Sequence, residues 1–551
     1  MTHKLLEALR RIDVGAEIGP LAKPADAALL EEWQASGVRF VSSAPRLTER
    51  YYDAVRELFA CIAPAADETP ILHEGGIYHG CWLESTGTIN AEILGRFLPS
   101  VTSATFSAFA RYQRDDGLFP YKITPQGPAY NQIQLVSPLA RSVWNHFALN
   151  QLDTDWLSAM FGAMSRYDGW IARHRDTRGT GAVEAFSTYD TGHDLSSRFW
   201  HVPDSPFASD PARYDPDNPL LPFLAPDLTA NIACQRDYLG RIADRLGGDG
   251  DIWRAKAAAS RAALFTHCYD ADDDFFYDRD RHDRLVRIQS DVLLRVLACE
   301  IGDADQFRRA LERYLLNTRK FFAKFPLTSI ALDDPRFDPT FGQNSWNGPT
   351  NFLTLIRAPH AFEHHGHDVE LTWLMQPVLS ALFAADRFPQ TLNPHNGAAG
   401  FTEKYSPSIL CLLDYVERLS GILPRPDGTI WLTGLLPKPA SHRYELWETA
   451  YSRIVDGANF ELLNTAEESA FYRNGACLCR FPAGLRLITD RAGNPLAVEG
   501  LTSRPVAGIV ELAGNAIEIA VAPNERQRLG VGARETIADP GLVLPSYGVG
   551  G

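Results

Sequence analysis

Residues 227–247 read DLTANIACQRDYLGRIADRLG, and the spacing of their apolar side chains decides the fold. Leu228, Ile232, Leu239, Ile242 and Leu246 recur at the three-, four- and seven-residue intervals that line one face of an α-helix. Asp227 stands where an N-cap acceptor is wanted and Gly247 where a left-handed C-terminal residue is. Phe307, Ala310, Leu311, Tyr314 and Leu315 repeat the stripe. Similar stretches lie near 46–62, 88–98, 100–114, 137–151, 153–174, 250–267, 287–301, 303–317, 346–366, 368–386 and 406–421. They fall in consecutive pairs with short links, as αα-hairpins do. Six such hairpins predict a mainly α fold, an (α/α)6 toroid with its inner helices buried on all sides and its long loops at one mouth.

Past Pro426 the pattern changes. Residues 475–481, 485–489 and 516–522 are short apolar or alternating runs between turn residues, which predicts strands. The chain therefore divides into an N-terminal adapting segment (1–45), a helical domain (46–435) and a β-rich C-terminal domain (436–551). The long irregular segments, 63–87, 115–136, 175–226, 318–345 and 387–405, hold most of the chemically distinctive residues, as loops on a rigid scaffold tend to.

A formal charge of −15 speaks against nucleic acid or an anionic membrane surface as partner. No window approaches ~18 continuous apolar residues, so no membrane span is expected. The first residues carry neither an apolar run nor a cleavage pattern, so no signal peptide is expected. The eight cysteines form no framework, which suits a reducing cytoplasm. Cys477 and Cys479, two apart, are expected on one face of a strand. His364-His365-Gly366-His367 reads as a helix C-terminus and Asp272-Asp273-Asp274 as a hairpin turn, not as metal sites. No phosphate loop or dinucleotide fingerprint is present, so neither metal nor cofactor is expected. A homo-oligomer is left open.

Two motifs carry chemistry. Tyr189-Asp190-Thr191-Gly192-His193-Asp194-Leu195-Ser196-Ser197-Arg198-Phe199-Trp200 and Gly400-Phe401-Thr402-Glu403-Lys404-Tyr405-Ser406-Pro407 each set a carboxylate in a turn-like, aromatic-rich segment. Two carboxylates are what glycoside hydrolysis needs, one to protonate the leaving oxygen and one to activate water or attack. Aromatic faces suit the apolar faces of sugar rings.

The middle of the chain, roughly 70–430, resembles the (α/α)6 glycosidases grouped around trehalase, processing α-glucosidase and mannosylglycerate hydrolase. Their Gly-Trp-Asp-x-Ser-x-Arg segment reads here Gly192-His193-Asp194-Leu195-Ser196-Ser197-Arg198, with His in place of Trp. Their Glu-Lys/His-Tyr segment reads Glu403-Lys404-Tyr405, and their Trp-x-Gly-Pro segment reads Trp346-Asn347-Gly348-Pro349, followed by Asn351. The resemblance implies an inverting, exo-acting hydrolase of a small glycoside, with Asp194 as general acid and Glu403 as general base, about 6.5–9.5 Å apart. Phe199, Trp200 and Asp190 stand close enough in sequence to raise the pKa of the acid. The substitution at His193 bears on the leaving-group subsite.

Sugar contacts are expected from Trp82, Glu84, Gln132, Tyr189, Asp190, His193, Trp346, Asn347, Asn351, His395 and Tyr405. Arg198 is a positioner, for a carboxylate or a sugar hydroxyl. Each has a bland alternative: Trp82 as core, Asp194 as a helix cap, Glu403 as a solvated partner of Lys404, Arg198 in a plain salt bridge. His193, His395 and Tyr405 also keep open a sugar phosphorylase, lyase or epimerase on the same ring. A non-enzymatic helical scaffold is the remaining class.

Overall fold

The computed structural model describes residues 3–135, 137–340, 342–438, 446–512, 514–530 and 535–547. Three short helices, α1 (Lys4–Arg11), α2 (Val14–Ile18) and α3 (Asp26–Ala35), open the chain. The helical body follows: α4 (Pro45–Ala60), α5 (Ile89–Leu94), α6 (Pro99–Arg111), α7 (Leu139–Asn150), α8 (Thr154–His174), α9 (Pro226–Arg245) and α10 (Asp251–His267). It continues with α11 (Val292–Leu297), α12 (Ala304–Ala310), α13 (Phe352–Leu355), α14 (Ala358–His365), α15 (Asp368–Ala384) and α16 (Ser406–Ser420).

The packing closes on itself. α5 lies on α7, α7 on α9, α9 on α11, α11 on α14, α13 on α16, and α16 on α5. Around that ring, α4 backs α16, α6 backs α5 and α7, α8 backs α7 and α9, α10 backs α9, and α15 backs α14 and α16. α16 shows what an inner helix needs: all fifteen of its residues are buried, Asp414 and Glu417 included. Those two are matched by Arg96, at 2.5 Å from Asp414 and 3.0 Å from Glu417, because a buried charge without a partner is costly.

The chain is not mainly α. It is 37% helix and 21% strand, because several inner helices are short and the described residues past 446 form strands and no helix. Six antiparallel strands form one sheet in the order 422–424, 430–433, 485–489, 495–500, 526–528, 535–538. Seven form another, in the order 39–42, 448–455, 458–465, 468–473, 476–482, 506–512, 515–521. The first strand of that sheet comes from the N-terminal segment: Arg39 pairs with Ser452 and Ser42 with Thr449. A continuous apolar core runs from the ring into both sheets.

Several local expectations change. α9 starts two residues earlier than the caps suggested, with Ala225 as N-cap and Pro226 in its first turn, so the Asp227 carboxylate is free for another role. The helix foreseen at 346–366 is two short pieces that begin only at Phe352. A bulge in the ladder between 468–473 and 476–482 leaves Cys477 exposed and Cys479 buried, so the two do not share a face. All eight cysteines are free. Among the described residues, no helix is long and apolar enough to cross a membrane and no side-chain group is arranged to hold a metal.

Arg486 ties the ring to the six-stranded sheet: its buried guanidinium meets Asp368 of α15 at 2.8 Å and Glu499 at 2.7 Å. Arg486→Met should leave the buried Asp368 carboxylate unmatched and Glu499 with Arg526 alone, and cost about 3–5 kcal/mol. Denaturant unfolding checks this; a midpoint equal to the parent's would contradict it.

Candidate active site

The first turns of the ring helices meet at one end. Glu84 leads into α5, Asp227 lies in the first turn of α9, Asp291 caps α11, Asn351 caps α13 and Tyr405 caps α16. Contacts join these ends: the Asn231 amide of α9 donates to the Leu135 carbonyl just before α7, and Thr354 of α13 to Asp291. Helix N-termini carry positive partial charge, so this end of the ring accommodates acidic groups.

Asp194 sits over it. Asn344 donates to its Oδ2 at 2.8 Å, and its Oδ1 is shielded from solvent without a partner. Burial, and then the Glu84 carboxyl, push its pKa up to about 8. Among the described residues, no cation is in contact with it to reverse this. Leu195, the next residue, has φ of +55° and is 43% exposed. A leucine in the left-handed region is strained, which is tolerated where surroundings dictate the conformation.

The layer beneath is polar, buried and closely tied. Arg198 is held by Asp227 at 3.0 and 3.1 Å and by Asp278 at 2.8 Å through each of two nitrogens. It also donates to His193 Nδ1, so that nitrogen carries no proton. His193 Nε2 lies 3.0 Å from Asp291, and its ring is 4.6 Å from that of Trp346. Burial, with Arg295, pushes the His193 pKa down to about 3, so the imidazole is neutral. Arg295 lies over the same Trp346 ring at 4.6 Å and donates to the Thr191 carbonyl at 2.7 Å, fixing the turn ahead of Asp194.

Glu84 is buried against Gly192, whose φ is +69°. A Cβ at position 192 would stand 2.1–2.3 Å from the Glu84 carboxylate, so only glycine allows this approach. Burial raises the Glu84 pKa, and Arg295 and Arg357 oppose the rise.

Glu403 lies before α16, at the same end of the ring. It is exposed, and no hydrogen bond or ion pair engages its carboxylate among the described residues. Its neighbours are constrained: Thr402 has φ of +57° and Lys404 of +51°. The Lys404 ammonium lies 3.8 Å from Glu57. Tyr405 is fully buried and donates to Glu74 Oε1 at 2.5 Å. Tyr78 meets the Tyr405 ring at 5.9 Å and the Trp82 ring at 5.7 Å, which makes one aromatic wall. Lys122 stands 4.9 Å from the face of Trp82, which is half-buried.

Not every expected contact residue can face a ligand. Asp190 is buried, held by Arg175 at 2.6 and 3.1 Å and by the backbone amides of Ile133, Phe186 and Ser187; its acceptors are filled. Arg198 and His193 belong to the buried layer, not to a sugar subsite. His395 is exposed on the 393–397 turn, edge-on to Phe337 at 5.9 Å, and no contact joins it to the Asp194 group among the described residues. Asn347 accepts the Ser197 amide at 2.8 Å, and Asn351 Oδ1 caps α13 at Leu353. Tyr189 is half-buried and faces Asp194 and Asp204.

Unsatisfied polar atoms concentrate here. Glu84 Oε1, Ser85 Oγ, Gln132 Oε1, Gln134 Oε1, Trp346 Nε1 and Asn351 Nδ2 are all buried without partners. Both donors and acceptors are present, which suits a neutral polyhydroxy ligand. Sequence reasoning missed Glu74, Asp291, Arg295, Asn344 and Arg357. Only Glu74 had a signal, the Gly75-Gly76 pair after it, which marks a close backbone approach.

A family model described as the mannosylglycerate hydrolase MGH1-like glycoside hydrolase domain matches residues 94–408. Among solved structures, the chain is similar to a GH63 mannosylglycerate hydrolase from Thermus thermophilus in complex with Tris. The TM-score is 0.56 at 16% identity, over 66% of this chain and 99% of that one. It is also similar to a sialidase, with a TM-score of 0.59 at 14% identity over 84% of this chain and 42% of that one. A GH78 family rhamnosidase of Bacillus sp. GL1 matches with a TM-score of 0.52 at 10% identity, over 78% and 40%. At these identities the likeness is one of fold. No curated protein matches in sequence.

Gly192→Ala should displace the Glu84 carboxyl and lower kcat/KM about 100-fold while the far-ultraviolet circular dichroism stays that of the parent. Parent-like kinetics would show that the Gly192–Glu84 approach is unimportant.

Proposed function

Because the chain belongs to the family of MGH1-like glycoside hydrolases, we propose that it is an inverting, exo-acting hydrolase of a small neutral or weakly charged glycoside. It is a glycoside hydrolase. In this reading Asp194 protonates the glycosidic oxygen, and Glu403 takes a proton from a water that attacks the anomeric carbon from the opposite face. The observation that carries it is the Asp194 carboxyl, buried without a cation and with its pKa pushed up to about 8, so that it holds a proton at neutral pH. Glu403 suits the base because its carboxylate is not engaged by the protein. Glu84 and Glu74 suit it less, since burial raises both their pKa values.

Trp82, Gln132, Tyr189, Trp346 and Asn351 are the proposed sugar contacts, with Glu84 gripping hydroxyls from the buried layer. The solved relative described as a mannosylglycerate hydrolase also occurs in complex with D-glycerate, which makes glycosides of small acids one substrate class to try. Lys404, the residue after Glu403, has its ammonium beside Glu57, which favours water over phosphate as the nucleophile.

The closed ring of α5, α7, α9, α11, α13–α14 and α16, with its outer layer, supports an (α/α)6 toroid over 46–435. The two sheets support a β-rich unit over 436–551, to which the 1–45 segment adds a strand. Eight unpaired cysteines support a reducing, cytoplasmic setting.

Asp194→Asn and Glu403→Gln should each lower kcat by about 10²–10⁴-fold. An aryl glycoside with a good leaving group should recover much of the loss in the first but not in the second. NMR of the first-formed product should show the anomer opposite to that of the substrate; retained configuration would refute the assignment.

The pH dependence has a definite sign. The working form of Asp194 is protonated, so kcat/KM should fall as pH rises through about 8. The folded pKa lies above the unfolded one, so ionisation disfavours folding, and the native state loses stability as pH climbs from about 4 toward 8. Asp194→Asn should therefore melt higher than the parent at neutral pH. An equal or lower melting midpoint would contradict the buried, uncompensated carboxyl.

A further inference from the structure

The Glu403 turn does not hold itself in place. Thr402 and Lys404, on either side of Glu403, both lie in the left-handed region, where a non-glycine residue needs outside support. The support is residues 73–78. Gly75 bridges to Tyr405, the Ser406 amide donates to the Glu74 carbonyl at 2.8 Å, and the Ile77 amide approaches Thr402 Oγ1 at 3.4 Å. Side chains at 75 and 76 are excluded: a Cβ would stand 2.2 Å from the Lys404 carbonyl oxygen or 2.4 Å from that of Glu403. The Glu74 side chain then reaches back and accepts the Tyr405 hydroxyl at 2.5 Å.

We propose that Glu74 is a positioning residue for the hydrolysis: through Tyr405 it clamps the 402–406 turn and so sets where the Glu403 carboxylate stands. The inference rests on Glu403 as the base. Glu74 also faces the acid. Burial, with Glu84 and Asp194 adding to it, pushes its pKa up to about 8, close to that of Asp194 itself. The groups around it are His73 and Tyr78 of its own segment, Glu84 and Ser85 of the next, Asp194, and Glu403, Lys404 and Tyr405 of the clamped turn. No cation pairs with it among the described residues. Below about pH 8 both the Glu74 and the Asp194 carboxyls hold their protons. When Glu74 ionises, its charge keeps the Asp194 proton in place to higher pH.

Three variants, read as kcat and KM across pH, test this. Glu74→Gln keeps an acceptor for Tyr405 and stays neutral. Its kcat at mildly acidic pH should remain within a few-fold of the parent's, while the alkaline limb reports a single ionisation and moves to lower pH. Glu74→Ala should lose about 10–100-fold in kcat with KM nearly unchanged, because the base is misplaced and the sugar contacts remain. Tyr405→Phe removes only the hydroxyl and should reproduce that loss, which keeps the test alive if the alanine variant does not fold. An alkaline limb for Glu74→Gln that superimposes on the parent's overturns the proposal, as does parent-like kcat in Tyr405→Phe. Glu403→Gln made alongside separates the two claims. Full activity there overturns the base assignment itself; a large loss there with parent-like Glu74 variants overturns only the positioning role.

Discussion

A guanidinium shared by two carboxylates underlies the whole site. Arg198 lies fully buried between Asp227 and Asp278, four hydrogen bonds joining the first turn of α9, the two-residue strand Asp278–Arg279 and the turn that follows Asp194. Removing Arg198 would leave two buried carboxylates without it, and removing either carboxylate would break two of its four hydrogen bonds, so the three move as a unit. This matters for chemistry because Asp194 is four residues from Arg198. Its position is inherited from a structure that has little freedom to shift. The same arrangement uses Arg198 fully, so its charge is not spent on drawing a proton off Asp194.

The neighbouring layer works by the same logic. His193, Trp346 and Arg295 form a stack whose polar edges are turned to Asp291 and the Thr191 carbonyl, so the floor of the site is rigid and closely matched in charge. Above that floor lie polar atoms with no protein partner. The floor is not fully satisfied either: His193 Nε2, Asp291 Oδ1 and two nitrogens of Arg295 are buried without a well-formed hydrogen bond. The incomplete set lies where the N-termini of the ring helices converge, and burial there outweighs their partial positive charge, since the pKa values of Asp194, Glu84 and Glu74 all rise.

Part of this was legible in the residues alone. Apolar periodicity located nearly every helix of the ring, because inner and outer helices both bury a continuous face. It erred where helices are short: the piece before Phe352 contains Trp346, Asn347 and Gly348, which serve contacts with Ser197 and Ser329 and not a helix. Alternation found the late strands but not the short one at 39–42, since four residues give too little pattern to separate strand from loop. At the site, the motifs brought Asp194, Glu84, Trp346 and Tyr405 to one end of the ring. Asp190 and His193 are tied into buried polar layers and Arg198 takes the carboxylate pairing that the residues also allowed, because a polar residue inside a motif looks the same whether it greets a ligand or a buried ion. Arg295 and Arg357 were invisible for the opposite reason: each lies in an apolar helical stretch where a single arginine reads as surface. Only tertiary packing shows that both point inward.

The strand at 39–42 has a consequence for how the molecule is made. Its hydrogen-bonding partners lie at 449–452, so it must wait, unpaired on one edge, while some four hundred residues leave the ribosome. Such distant pairing is slow and leaves an open edge exposed to association with other nascent chains. The ring can assemble from local hairpins during synthesis, but the sheet edge can be sealed only after residue 452 has emerged. Biogenesis should therefore be most vulnerable in a late intermediate, with the ring built and this one strand still searching for its place.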